Sequence, residues 1–464
     1  MRTIVLEFNE LSPQLLDRFI EQGHLPNFRR FRDSAMVAVT DAEETAPNLE
    51  PWIQWVTVHT GLSFAEHGCF NLNEGSDLTA PRLWDLVSRA DQTNWICGSM
   101  NAAVQPGFRG CFLPDPWATS AEPVPLNMFR PYARLVRSYV QEHSGRPEVS
   151  PVDVLRFGQF MLRHGLSASS VAALIKQLAQ ERRRDVKWRR AMMLDRLQWD
   201  VFRSVYKSMQ PYLSTFFINS TAHFQHFHWR EFEPGLFRIQ SSEKQRQTYG
   251  DAILAGYQNM DRIVGEALSM ARDEANLVLL TALSQQPMLT HEEDGGRQIF
   301  RHRDIKVLLE LAGVEQGWTY APIMSQQFLL HFQNEQAATS AAAQIEALWL
   351  TDGRQPMWAR RKGSSLDAGC MIEKTPPEGI RVVAPNGKTS ADFFDIFYPL
   401  DALRSGKHHP EGAFWIKGPG IASAQVQETV SLRMVAPTLA DLLEVPGEFK
   451  ACSLFAEGTG RAAA

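Results

Sequence analysis

Three apolar runs in this chain each stop at a cluster of polar residues. Thr3-Ile-Val-Leu-Glu-Phe8 is followed by Asn9 and Glu10. Ser214-Thr-Phe-Phe-Ile218 is followed by Asn219-Ser-Thr-Ala-His-Phe-Gln-His-Phe-His-Trp229, and Asn276-Leu-Val-Leu-Leu-Thr281 by Ala282-Leu-Ser-Gln-Gln286. A short continuous apolar run reads as a buried strand, and in open α/β sheets such strands deliver their carboxyl ends to a ligand crevice. His223 and His226 are three residues apart and share a helical face, whereas His228 does not lie with them. Imidazole pairs of this kind often hold a transition metal. The plainer reading is a helix start with polar residues and one satisfied core histidine.

At 464 residues and 44% hydrophobic content, the chain can bury a large core, as one α/β domain with insertions or as two domains. A net charge of −5 gives no global attraction to nucleic acid or to an anionic membrane. Cys69, Cys97, Cys111, Cys370 and Cys452 are scattered, with no C-x-x-C spacing, which suits a reducing compartment and argues against a disulfide framework. The N-terminal apolar run is cut by Glu7, too short for a signal peptide. No uninterrupted apolar run reaches about 18 residues, so no membrane span is expected. A soluble, cytoplasmic protein is the expectation, with its oligomeric state open.

Ser12-Pro13 supplies a cap and first-turn proline for a helix over 14–22, stopped at Gly23. Pro51 starts a second helix carrying Trp52, Trp55, Val56 and His59, closed by Gly61. Glu50 then stands at its N-cap, beside unpaired N–H groups, and the tryptophans read as core. Between 127 and 211 the chain reads as several helices, such as 170–190 and 191–209. The run Gln180-Glu-Arg-Arg-Arg-Asp-Val-Lys-Trp-Arg-Arg190 is its one basic concentration. It reads as a solvated helix face, or as a cap whose arginines face an anionic substrate. An Ala-rich helix is expected near 337–348, and Arg461-Ala-Ala-Ala464 is expected to fray.

Strand, polar pair, Ser-Pro, helix, then Gly23-His-Leu-Pro-Asn-Phe28 and Trp55-Val-Thr-Val-His-Thr60-Gly61 with His67-Gly68 form an ordered set. It resembles the alkaline phosphatase superfamily, and most of all its type I phosphodiesterase and nucleotide pyrophosphatase branch. Gln225-His226 with Trp229, Ser405-Gly-Lys-His-His-Pro-Glu-Gly412 and Val435-Ala-Pro-Thr-Leu439 continue it in the family's order. The resemblance implies an α/β fold: a central, mostly parallel sheet sandwiched by helices, with a helical insertion. The expected organisation is core over 1–126, helical cap over 127–211, core over 212–310, mixed α/β insertion over 311–385, and core over 386–464.

The family's hydrolases generally use two metals and a threonine or serine nucleophile, so the resemblance can be followed residue by residue. Its first-strand aspartate falls on Asn9, with Glu10 adjacent. Its nucleophile falls on Pro51, with Glu50 and Thr45 nearby. Its Asp-x-x-x-His keeps only His226, the aspartate falling on Ala222. Its Ser-Asp-His-Gly turn falls on Thr281-Ala-Leu-Ser284, and its C-terminal histidine is kept as His408. The resemblance therefore implies a remodelled site on a phosphate- or sulfate-type ester, with one divalent metal such as zinc, or none. His223, His226 and His408 are the expected ligands, with Asn9 as a weak one; Glu10, Glu50, His59 and Thr45 are the catalytic candidates. Asn219, Ser284, Gln285, Arg301 and His409 are candidates for binding a small anionic substrate. Two alternatives stand beside this: a non-catalytic descendant that binds a ligand or partner, and metal-free acid–base chemistry on the same fold.

Overall fold

The first apolar run forms β1 (Thr3–Phe8), and every residue of it is buried. In the computed structural model, which describes all residues except 119, 142–148, 324–325, 401 and 457–464, β1 lies at the centre of a nine-stranded sheet. It pairs in parallel with β5 (Leu213–Ile218) on one side and β6 (Asn276–Leu280) on the other. The remaining strands named here are β2 (Met36–Asp41), β3 (Asn94–Cys97), β4 (Gly110–Leu113), β7 (Ser284–Pro287), β8 (Gly406–His409) and β9 (Glu411–Lys417). The sheet runs Ala424–Gln425, β2, β9, β6, β1, β5, β3, β4, with Val430–Ser431 also on β2. β9 is antiparallel to both its neighbours.

Side chains alternate along β1, so Ile4, Leu6 and Phe8 enter one hydrophobic layer and Val5 the other. Helices cover both faces, which is why the central strands read as continuous apolar runs. Each fully buried large side chain contributes about 1.5–3 kcal/mol relative to exposure. The chain is thus an α/β protein with a mostly parallel central sheet sandwiched by helices.

Ser12 accepts from the Leu15 amide and caps α1 (Pro13–Glu21), as the Ser-Pro pair implies. Glu50 is the N-cap of α2 (Pro51–Thr60), which Gly61 closes in the left-handed conformation. The helical insertion consists of α3 (Leu126–Gln141), α4 (Pro151–Arg163), α5 (Ala168–Glu181) and α6 (Arg190–Met209). The helix expected over 170–190 ends at Glu181. There Gln177 donates to the Val186 carbonyl at 2.8 Å, and Glu181 takes both arms of Arg190 at 2.8 and 2.6 Å, closing the turn. Arg182, Arg183 and Arg184 are left exposed on that turn.

After β5 come α7 (Ser220–Phe232) and, later, α8 (Ala252–Ala271). His228 departs from helical geometry and stacks on Tyr249, ring centroids 4.4 Å apart. A smaller lobe has its own core, drawing residues from Phe300 to Phe397 around a four-stranded antiparallel sheet. The Ala-rich segment there forms a helix over Glu335–Glu346. Lys362 reaches Glu74 at 3.1 Å and Arg360 lies over the Phe70 ring, docking the lobe on the main body. All five cysteines are unpaired. Among the described residues no helix is long and apolar enough to cross a membrane. The C-terminal Arg461–Ala464 lies outside the described residues.

Candidate active site

The three apolar runs end together. Beyond β1 the backbone turns through Glu10 in the left-handed region (φ 57°), and Glu10 bridges to Ser284 beyond β6. A glutamate with positive φ is strained, and such strain collects at functional sites. The turn aims the Glu10 carboxylate at His226 of α7 and His408 of β8. His226 Nε2 lies 3.1 Å from Glu10 Oε2, and His408 Nε2 lies 3.6 Å from the same oxygen. Gly406 lets β8 run against α7, since a Cβ there would meet the Gln225 carbonyl oxygen at 2.2 Å.

Glu10 is held from several sides. Asn9 Nδ2 donates to Oε1 at 3.0 Å, the Gln285 amide donates to Oε2, and Gln225 donates to the Glu10 carbonyl at 2.6 Å. Burial pushes its carboxyl up, but the electrostatic interactions with His226 and His408 and the hydrogen bonds from His226 and Gln285 win, bringing it down to about 2. His408 goes the other way. Burial pushes its imidazole down to about 3 against the attraction of Glu10. Its Nδ1 donates to the Leu49 carbonyl at 2.8 Å, so Nε2 carries the lone pair. That buried nitrogen has no hydrogen-bond partner, and neither do the Ser284 hydroxyl and Gln285 Oε1. Unpartnered polar atoms gathered at one place point to a bound group.

Three ligand atoms, one each from Glu10, His226 and His408, lie within 4.8 Å of one another. A tetrahedral zinc site with bonds of about 2.0–2.1 Å has edges of about 3.4 Å, so contacts of 3.1 and 3.6 Å suit one cation. Glu50 borders the group, its Oε2 3.6 Å from His408 Nδ1. Burial pushes its carboxyl up to about 8, against the pull of Arg404 and Arg297. Arg404 Nη2 is 3.3 Å from His226 Nδ1. A guanidinium only donates, so His226 accepts there and turns an Nε2–H to Glu10.

The sequence model of the family described as type I phosphodiesterase / nucleotide pyrophosphatase matches residues 3–367. The chain belongs to this family. No curated protein sequence matches it. Among solved structures it is similar to human ectonucleotide pyrophosphatase / phosphodiesterase 5 and to its murine counterpart, the latter also as an inactive variant in complex with AMP. Each is 11% identical, with 98% of both chains covered and a TM-score of 0.41.

The type I phosphodiesterase family is typically dependent on divalent metal, and in this chain Glu10, His226 and His408 form one cluster that could hold a cation. A second set is missing among the described residues. Asn9 spends its oxygen on Trp55 Nε1 at 2.8 Å and its amide on Glu10 and on Asn219 Oδ1 at 2.7 Å. It orients Glu10 instead of ligating. Ala222 is buried without a donor, and the Thr281 hydroxyl is given to the Leu283 carbonyl.

Other expected residues fall elsewhere. His223 is exposed and packs on Phe227, because a three-residue step leaves about 60° between two side chains around a helix. Glu10 takes its place in the triad. His59 lies 3.0 Å from Glu7, between Trp55 and Trp84, so it belongs to the core beneath the sheet. Thr45 is exposed in the loop before α2. Arg301 is buried in the smaller lobe and donates to the Ile323 carbonyl. His409 turns to Glu411, accepting from its amide at 3.3 Å. Arg404 and Arg297, which the sequence reading missed, are the cations that face Glu50. The position of Arg404, four residues before His408, was the available signal.

Proposed function

We propose that this family member hydrolyses a small phosphate- or sulfate-type ester with a single divalent cation held by Glu10, His226 and His408. The observation that carries the reading is the unpartnered His408 Nε2 aimed at an ionised, buried Glu10. A bound cation would supply Lewis acidity toward an ester oxygen. The chain's own residues do the rest. Asn9 and Gln285 fix the Glu10 carboxylate, and the Leu49 carbonyl fixes the His408 tautomer. Arg404 and Arg297 offset the charge of an anionic substrate, in place of the missing second ligand set. Glu50, held toward its protonated form, is placed to give a proton to a leaving oxygen. Pro51 stands where the family's nucleophile falls, so the attacking oxygen comes from water. The five unpaired cysteines support a reducing, cytoplasmic setting.

A non-catalytic descendant is the second reading, and Arg404 favours it: its guanidinium against His226 Nδ1 holds the tautomer that cannot ligate through Nε2. The test uses protein stripped of metal and reloaded with zinc, manganese or magnesium. Elemental analysis, thermal shift and turnover on phosphodiester, monoester and sulfate panels are then measured. The proposal expects one equivalent of metal, stabilisation of about 2.7 kcal/mol at 100 times Kd, and turnover lost in His408→Ala. Metal uptake without turnover on any panel selects the non-catalytic reading, and no uptake sinks the metal site.

A further inference from the structure

The helical insertion carries a face that the active site does not use. On α5 the usual order of an amphipathic helix is reversed. Ser170 and Gln177 are its buried residues, while Val171, Ile175 (64% exposed) and Leu178 point outward at helical spacing. On α4 the inward side is ordinary, with Phe160 and Met161 buried, yet Val152, Leu155 and Leu162 (74% exposed) form a second outward stripe at i, i+3 and i+10. Only four residues separate the two helices. A solvent-facing helix side normally carries polar residues, so large aliphatics repeated at helical spacing on two successive helices mark a surface that is covered in use.

Charge tells what covers it. Residues 151–190 hold nine Lys and Arg against three Asp and Glu, in a chain whose overall charge is −5. Two of the three acids are already engaged, Asp153 with Ser150 and Arg134, and Glu181 with Arg190. Arg156 and Arg163 are exposed beside the α4 stripe, Lys176 is exposed on α5, and Arg182, Arg183 and Arg184 are exposed at its end.

We infer that α4, α5 and the arginine turn form a docking face for an anionic lipid surface, with the aliphatic stripes entering the interface and the basic side chains meeting headgroups. Interfacial helices bind by this pairing of buried apolar area with Lys and Arg attraction to acidic lipid. A second copy of the chain fits poorly, because a two-fold contact would press one strongly basic face against another. Nucleic acid would leave the aliphatic stripes exposed.

Vesicle flotation of the full chain tests this, with phosphatidylcholine vesicles and with phosphatidylcholine–phosphatidylserine vesicles at low and high salt. Binding is expected only to the phosphatidylserine vesicles, weakening with salt. Leu162→Glu with Ile175→Glu should abolish it. Reversal of Arg182, Arg183 and Arg184 to Glu should reduce partitioning about a hundredfold or more, at about fivefold for each charge removed. Both variants should melt at the wild-type temperature, the sites being exposed. Glu10→Gln should float as wild type, so failure here is distinct from failure of the cation site. Absence of vesicle binding, or equal binding by the variants, overturns the inference. A dimer dispersed by Leu162→Glu without vesicle binding overturns it too, in favour of self-association.

Discussion

The imidazole of His408 gives its Nδ1 proton to the Leu49 carbonyl at 2.8 Å, which fixes the lone pair of Nε2 on the side of Glu10. One backbone oxygen from the loop before α2 thus sets the tautomer of a residue more than 350 positions later. Gln285 does the matching task for Glu10, donating to its carboxylate and to the Ala222 carbonyl at 3.0 Å. Such supporting groups orient ligands without touching the ion, and their loss typically weakens binding by about 10–100-fold. Gln285→Ala should therefore lower zinc affinity by that amount while leaving one metal per chain. Competition titration with a chromophoric chelator reads both quantities, and an unchanged affinity would show that Gln285 does not orient the ligand.

Arg404 opposes the same ion. Metal on His226 Nε2 requires the proton on Nδ1, where the guanidinium already donates at 3.3 Å. Arg404→Gln offers an amide oxygen that can accept that proton. Zinc affinity is expected to rise about tenfold, for roughly 1.4 kcal/mol of relieved donor–donor opposition, while the KM for an anionic ester rises because a substrate-facing cation is gone. A fall in zinc affinity would mean that Arg404 supports the triad.

His59 separates structural from catalytic histidines. It sits 3.0 Å from Glu7, and both side chains are nearly fully buried among Trp55, Trp84 and Ser99. Removing one partner leaves a buried carboxylate without its neighbour, which typically costs about 3–5 kcal/mol. His59→Ala should lower the unfolding free energy from urea titration by that measure and still bind one zinc. Wild-type stability with lost turnover would return His59 to the catalytic set.

Part of the candidate site is legible in the sequence because its residues stand at the ends of patterned segments. Strand-length apolar runs fix where the sheet stops, and the polar pair after β1 and the α7 histidine follow at those ends, whereas the β8 histidine follows no such run and is marked only by the family resemblance. What pattern cannot supply is rotation and long-range approach. His223 and His226 have the spacing of a shared face, yet only the docking of α7 decides which one turns inward. Arg404 and Arg297 lie on either side of the smaller lobe, and they meet across a short antiparallel bridge, a pairing with no local signal. His59 and Trp55 share one helix, and their spacing alone does not distinguish a ring that fills the core from one that reaches substrate.

Stability should depend on pH through carboxyls far from the triad. Asp367 is 2% exposed, neither of its oxygens has a hydrogen-bond partner, and burial pushes it up to about 7, as it does Asp115 and Asp195. An unfolded aspartate titrates near 3.9. Between roughly pH 4 and 7 these three carboxyls therefore hold protons in the folded chain that they have released in the unfolded one, and their contribution to stability falls as pH rises through that window. Urea unfolding should give a higher stability at pH 5 than at pH 8. In Asp367→Asn the carboxyl is replaced by a neutral group of the same shape. Its share of the difference, on the order of 2–4 kcal/mol, should disappear, with the variant more stable than wild type at pH 8. Equal slopes in the two proteins would mean that Asp367 is solvated or paired in solution.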